Sequence, residues 1–302
     1  MSSKAAGLPP TFNPQQASRM YDGVEYKDFW DDPAKMRLDK LERAIVRKLL
    51  PVSGQRILDL GCGYGRLASC YLERFEQVVM LDGSITLLRQ AQETIEERAT
   101  YIAADANRLP FRPGSFDCVL MIRVFHHIND SQVILSEMQR IISNGGNLIF
   151  NYCNKLSVRQ LLHWTLRRTR ENPLTIKPTG IGTRLISHHP AQIEQLLKQH
   201  GFTRTKYLGA GILDKLPADT ERFSSLAEAL TPLFGAIKLA PWINCRATLS
   251  SEGQIKTSQR LDDILVCPAC HQELTRQAFT YYCRGCEASF PIENGILDFR
   301  IG

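Results

Sequence analysis

Three groups of residues in this chain of 302 are spaced for chemistry. The first is a glycine turn, Leu58-Asp59-Leu60-Gly61-Cys62-Gly63-Tyr64-Gly65, at the end of a short apolar run. Glycines at alternate positions let the backbone turn sharply and approach a ligand closely. Asp82 ends the next apolar run, 17 residues past Gly65. A carboxylate at that place can accept two hydrogen bonds from the hydroxyls of a ribose. The spacing is G-x-G-x-G, with Arg66 next, and so departs from the G-x-G-x-x-G of dinucleotide folds. The second group is Cys267-Pro268-Ala269-Cys270 and, after twelve intervening residues, Cys283-Arg284-Gly285-Cys286. Each C-x-x-C forms a knuckle of two thiolates, and two knuckles close a tetrahedral zinc shell with no open position. Such a metal is structural, and it supplies the staple without which ~40 residues rarely fold. A thioredoxin-like redox motif would need a βαβ setting that this segment lacks. The third group is the pair His126-His127, imidazoles that can take up a proton near pH 7 or simply pack in a loop.

The elements that must position these groups alternate in type. Met36, Leu38, Leu41, Ile45, Leu49 and Leu50 recur near helical spacing from Ala34 until Pro51 ends the run. Short apolar strands are expected at 56–60, 77–81, 101–104, 116–121 and 147–152. Helices are expected between them at 66–75, 85–98 and 131–142, and Ser143-Asn144-Gly145-Gly146 reads as a turn. Strands alternating with helices argue for parallel βαβ units in a doubly wound α/β sheet. Farther on, Ser187 to His200 reads as a helix with Ser187 as its cap and Pro190 in the first turn. A strand near 203–208, a helix over 226–239 and a closing strand at 242–249 follow.

Composition excludes several classes. Apolar residues make up 43% and charged residues 23%, which fits a globular chain and not a disordered, collagenous or coiled-coil one. No apolar run approaches the ~20 residues that span a bilayer, and the opening MSSKAAGLPP lacks the apolar core of a signal peptide. A cytoplasmic protein with no membrane partner is therefore expected, and nine cysteines in a reducing compartment favour metal over disulfides. The net charge is +6, unevenly spread. Residues 151–210 hold ten basic side chains against Glu171 and Glu194, whereas 261–302 hold three against six acids. Lys155, Arg159, Arg167, Arg168, Arg170, Lys177 and Arg184, with Trp164 among them, could meet RNA phosphates or a small anionic acceptor. A merely solvated face is the other reading.

Asp59-Leu60-Gly61-Cys62-Gly63-Tyr64-Gly65 resembles the first motif of class I S-adenosylmethionine-dependent methyltransferases. Asp82, Asp105-Ala106, Phe116-Asp117-Cys118-Val119-Leu120 and Ser143-Asn144-Gly145-Gly146 match later motifs in order. The similarity is to the small-molecule-type, type 11-like branch and spans roughly residues 20–250. It implies that Gly61 and Gly63 pass beneath the methionine part of S-adenosyl-L-methionine. Asp82 would hold the ribose hydroxyls, Asp105 the adenine amino group beside Ala106, and Asp59 the amino group of the methionine. Ile122-Arg123-Val124-Phe125-His126-His127-Ile128 resembles the fourth motif of the ubiquinone-biosynthesis-like and tRNA wobble-uridine-like branches, with His127 or His126 as a candidate catalytic group. It is not the Asn/Asp-Pro-Pro-Tyr/Phe motif of amino-nitrogen methyltransferases.

The tail carries a second resemblance. Leu265-Val266-Cys267-Pro268, Tyr282-Cys283 and Phe290-Pro291-Ile292-Glu293-Asn294-Gly295-Ile296-Leu297 are similar to the small zinc-ribbon protein that partners tRNA, rRNA and release-factor methyltransferases. Phe290 stands for its usual Tyr and Leu297 for its usual Pro. A stabiliser built into the same chain is what this implies.

The expected organisation is a leader and helical cap over 1–50, and a methyltransferase domain over 51–250 with a basic substrate-covering insertion at 153–186. A linker over 251–260 and a four-cysteine zinc ribbon over 261–302 complete it. The expected activity is methyl transfer from S-adenosyl-L-methionine to a small-molecule or RNA acceptor. A non-catalytic cofactor-sensing or nucleic-acid-binding protein on the same core is the alternative. Because no assigned pocket residue lies in the ribbon, loss of its zinc is expected to unfold the ribbon and leave the pocket intact.

Overall fold

The computed structural model describes residues 30, 33–180, 185–212, 221–250 and 260–301. The leader at 1–18, the linker at 251–259 and Arg184 fall outside the described residues. Helix α1 (Pro33–Leu49) opens the described core and is followed by strands β1 (Gly54–Leu60) and β2 (Phe75–Asp82). Helix α2 (Ile85–Ile95), whose Ser84 cap accepts from the Leu87 N–H, leads to β3 (Thr100–Ala103) and β4 (Phe116–Met121). Helix α3 (Ser131–Ile141) starts where the Asp130 carboxylate caps the Gln132 and Val133 N–H groups, and β5 (Ile142–Asn154) follows. Strands β1, β2, β3, β4 and β5 are mutually parallel, so their carboxyl ends share one edge. Their middles are continuously apolar and buried because helices cover both faces.

The second half completes that sheet. After β5 come α4 (Val158–Thr165), β6 (Ser187–His188), α5 (Pro190–Gln199), β7 (Phe202–Ala210), α6 (Glu221–Ala236) and β8 (Trp242–Leu249). Strand β8 runs antiparallel between β5 and β7, the usual way to close an edge that parallel crossovers have built. Among the described residues no helix is long and apolar enough to cross a membrane.

Three local expectations differ from the structure. The helix expected over 66–75 is a chain of tight turns with a single 3-10 stretch at Ala68–Cys70. Its two ends are pulled to different neighbours: the Arg66 guanidinium to Asp39 and Glu42 on α1, the Tyr71 hydroxyl to Asp59 on β1. Ser187 is not a helix cap, since β6 pairs Ser187 and His188 with Cys153 and Asn154, and His189 caps α5. Pro190 explains this, because the residue before a proline is driven out of the α region. The Ser143–Gly146 turn lies inside β5, where the register against β4 slips between Phe116 and Cys118.

The tail does not stand apart. After the short helix α7 (Leu261–Ile264) come β9 (Leu274–Gln277), β10 (Thr280–Cys283), β11 (Ser289–Glu293) and β12 (Ile296–Asp298), an antiparallel run. Strand β12 then lies parallel to β3, Leu297 opposite Ile102, and the sheet order becomes β7-β8-β5-β4-β1-β2-β3-β12-β11-β10-β9. Ile264, Leu265, Tyr281, Phe290, Leu297 and Phe299 join the same buried cluster as Leu109, Phe111 and Phe116 of the core.

Candidate functional site

The parallel strands deliver their carboxyl ends to one crevice. Asp59 lies next to last in β1, Asp82 closes β2, and Asp105 stands two residues past β3. The glycine turn is folded onto β2 by two backbone bonds, from the Gly61 and Cys62 N–H groups to the Leu81 carbonyl. Gly61 (φ 73°) and Gly63 (φ 56°) both sit in the left-handed region that side chains resist. A Cβ on Gly61 would strike the Val124 side chain at 2.2 Å, whereas one on Gly63 would meet nothing within 4 Å. Val124 therefore covers the first glycine, and open space lies over the second. The Asp82 carboxylate accepts from the Gly63 N–H and the Ser84 N–H, each at 2.9 Å, which fixes it beside that opening. Asp105 accepts from the Asn107 backbone and side chain at 2.9 and 3.0 Å, with Ala106 beside it only partly buried. A glycine cradle flanked by a fixed carboxylate fits the ribose and methionine portions of S-adenosyl-L-methionine.

Asp59 is buried and accepts a 2.6 Å bond from the Tyr71 hydroxyl. Burial pushes its carboxyl up to about 7; the Tyr71 bond and the Arg66 charge work against that rise, and the Asp82 charge adds to it. The proton is thus bound more tightly by the folded than by the unfolded chain. That contribution to stability is complete below about pH 4 and is lost as the pH rises through about 7. The ligand-free chain should accordingly melt progressively lower from pH 4 to 7, and Asp59→Asn should flatten the trend. If Asp59 holds the cofactor's amino group, affinity runs the other way. The ionised fraction drops roughly eightfold between pH 7.5 and 6, and affinity should drop with it in the native chain and not in Asp59→Asn. Calorimetric titration across that range checks it, and parallel profiles for the two proteins would remove Asp59 from the site.

Above the glycine turn, the segment after β4 is held by a buried charge network that spacing alone does not disclose. Glu42 of α1 accepts from Arg66, from Arg123 at 3.0 Å and from the Asn151 amide at 3.4 Å. The Trp30 ring lies under the Arg66 guanidinium at 4.0 Å, and the Arg123 guanidinium lies over Trp242 at 4.8 Å. The available signal was Glu42 itself, a carboxylate on the apolar stripe Leu38, Ile45, Leu49 of α1. His126 and His127 sit in a short 3-10 turn at Phe125–His127 with ring centroids 4.0 Å apart. His126 is buried against Trp242, and among the described residues its Nδ1 has no hydrogen-bond partner. Burial pulls its pKa well below the ordinary range, and charge on His127, Arg123 and His188 would pull it further, so the ring is neutral at pH 7.

The four cysteines of the tail converge. Their sulfurs lie within 4.8 Å of one another, Cys267 with Cys286 at 3.5 Å and Cys270 with Cys283 at 3.4 Å. Zinc–sulfur bonds of ~2.3 Å in a tetrahedron put sulfurs roughly 3.8 Å apart, so the set fits a structural zinc. The basic segment divides. Lys155 is buried, its Nζ donating to the Thr175 hydroxyl and the Lys177 carbonyl at 2.8 and 2.7 Å, and it serves as an internal brace. Arg159, Arg167, Arg168, Arg170 and Lys177 are exposed.

Comparison with known proteins agrees with this geometry. Residues 58–150 match the model of the methyltransferase domain, and residues 258–295 that of the Trm112p-like protein. A demethylmenaquinone methyltransferase of Renibacterium salmoninarum is 32% identical over 45% of this chain and 58% of its own length. An O-methyltransferase of Aspergillus nomiae is 29% identical over 42% and 61%. The chain thus spans about three-fifths of the length of these curated relatives. In structure, it resembles a chain from a complex between the Haloferax volcanii Trm112 methyltransferase activator and a methyltransferase. That match covers 74% of this chain and 97% of that one, with a TM-score of 0.51 and 18% identity, a likeness of fold. Residues 58–150 thus carry a methyltransferase domain with the class I methyltransferase fold, and residues 258–295 a Trm112p-like domain in the same chain, whose four cysteines fit a structural zinc.

Proposed function

We propose that the chain transfers the methyl group of S-adenosyl-L-methionine to an oxygen or carbon of a small molecule. The observation that carries this is the Asp82 carboxylate fixed by the Gly63 N–H beside an open glycine cradle. When bound there, the sulfonium supplies an electrophilic methyl that an acceptor lone pair displaces in line, so alignment does most of the work. The protein's part is positioning. Asp82 would orient the ribose, Asp105 and Ala106 the adenine, and Asp59 the charged amino group. The Nδ1 of His126, without a partner among the described residues, supports a place for it at the acceptor: a neutral imidazole can accept a hydrogen bond from an acceptor hydroxyl, turn its lone pair toward the methyl, and take the proton the oxygen releases as the new O–C bond forms and the S–C bond breaks. His127, in the same turn, is the second candidate for that role. The curated relatives named as demethylmenaquinone and O-methyltransferases favour a small ring or hydroxyl acceptor over RNA.

Asp82→Ala tests the pocket. Removing a charged acceptor costs about 1.5–3 kcal/mol, so affinity for the cofactor and its demethylated product should fall roughly ten- to a hundredfold. Unchanged affinity in a folded variant would reject the assignment. Turnover is read by screening metabolite and small-RNA pools with labelled methyl groups. Cofactor binding without transfer to any acceptor would favour the non-catalytic alternative.

A further inference from the structure

Helix α4 and the turn that follows it form an unusually apolar exposed surface. None of its eight residues is buried, although Val158, Leu161, Leu162 and Trp164 are among them. Val158, Leu162 and Leu166 recur every four residues and so line one face, with Arg159 and Thr165 beside them. Those three are 49%, 53% and 52% exposed, and Leu174 and Ile176 in the next loop are 53% exposed each. Isolated exposed aliphatics need no explanation, but five within the segment from Val158 to Ile176 do. The loop bearing Leu174 and Ile176 is pinned by the Lys155 brace, so its exposed side chains are held out. Arg159, Arg167, Arg168, Arg170 and Lys177 are exposed in the same segment, with a single acid, Glu171. Among the described residues none of these five enters an ion pair.

We propose that this face docks the chain on an anionic bilayer surface. Single-stranded RNA is gripped by stacking bases on exposed aromatics, yet the apolar part here is aliphatic and the one aromatic, Trp164, is partly covered. Exposed aliphatic side chains interspersed with arginine match the boundary between acyl chains and headgroups, where leucines enter and guanidiniums meet lipid phosphates. Helix α4 departs from the carboxyl end of β5, the same edge that carries the glycine turn, so docking turns the site toward the membrane. The expectation of no membrane partner rested on the lack of a spanning run, and a surface helix of eight residues escapes that criterion. The proposal stands apart from methyl transfer, because its readout is binding alone.

The test is co-sedimentation of the full chain with vesicles of phosphatidylcholine, with and without about a third phosphatidylglycerol. Binding should require the anionic lipid and weaken steeply with salt. Arg167→Glu/Arg168→Glu/Arg170→Glu should weaken it about a hundredfold or more, at roughly fivefold for each charge lost. Leu162→Asn/Leu166→Asn, which leaves every charge in place, should weaken it about tenfold. Cofactor affinity should stay unchanged in both variants. Equal binding to neutral and anionic vesicles, or native binding by the leucine variant, overturns the proposal. So does an RNA oligomer that binds through the three arginines while vesicles do not bind. Should the leucine variant melt early, tryptophan quenching of the native chain by bromine-labelled acyl chains reads insertion directly. Quenching supports docking, and its absence overturns it.

Discussion

Replacing Cys283 with serine is expected to release the zinc, lower the melting temperature and weaken cofactor binding together. A serine hydroxyl stays protonated at neutral pH and is a poor partner for zinc, so one substitution opens the shell. The sheet then carries the damage inward. Without β12, strand β3 becomes an open edge with Tyr101, Ile102 and Ala103 behind it, a template for aggregation. The Phe299 N–H no longer reaches the Ala103 carbonyl at 2.7 Å, nor the Arg300 guanidinium the Gly83 carbonyl at 3.4 Å. Gly83 follows Asp82, and Ala103 stands two residues before Asp105, so both carboxylates proposed to hold the cofactor lose support. On the other flank, the Arg112 N–H donates to the Ile264 carbonyl and the Val266 N–H to the Pro110 carbonyl, and these bonds are lost as well. This geometry argues against an untouched pocket, although no assigned pocket residue lies in the tail. Cofactor affinity should fall at least about tenfold, the loss of one or two supporting hydrogen bonds. Metal analysis, thermal melting and calorimetry on the native and Cys283→Ser chains check it. Full cofactor affinity in a zinc-free chain would show that the ribbon serves stability alone.

Much of the candidate site was legible in the sequence because it is made by local rules. A strand that ends in aspartate and a turn that needs left-handed backbone both write themselves into a few consecutive residues, as at Asp59 to Gly65 and at Asp82. The two C-x-x-C knuckles are legible for the same reason. What escaped depends on contacts between distant segments. Spacing over 66–75 fits a helix well; it is undone by Asp39, Glu42 and Asp59, which lie elsewhere in the chain. The Tyr71 bond that moderates Asp59 belongs to the same class. Strand β12 reads only as a short apolar end, and nothing local says that its partner is β3. Lys155 counts as one more charge in a basic run until its stem is seen buried and its ammonium spent on the Thr175–Lys177 loop.

Glu42 offers the sharpest test of that hidden layer. Its carboxylate is buried among Arg66, Arg123 and Asn151. Glu42→Ala strands two guanidiniums in a poorly solvated place, although Asp39 retains a hold on Arg66. Breaking one partner of a buried ion pair typically costs about 3–5 kcal/mol, which for a chain of this size lowers the melting temperature by roughly 10 °C. The effect should persist at high salt, which screens exposed pairs such as Arg98 with Glu73 but reaches a buried one weakly. Function should follow stability here for a structural reason. Arg123 holds a left-handed backbone (φ 61°), fixed by its N–H to the Asn151 side chain at 2.7 Å, and the next residue is the Val124 that covers Gly61. Loosening Arg123 lets Val124 shift over the glycine turn, and cofactor affinity should fall roughly tenfold, about 1.4 kcal/mol. Glu42→Gln keeps an acceptor of the same shape without the charge, so its losses in both measurements should be intermediate. A Glu42→Ala chain that melts like the native one would show that Asp39 alone satisfies the network. A large stability loss with native cofactor affinity would instead separate α1 from the site.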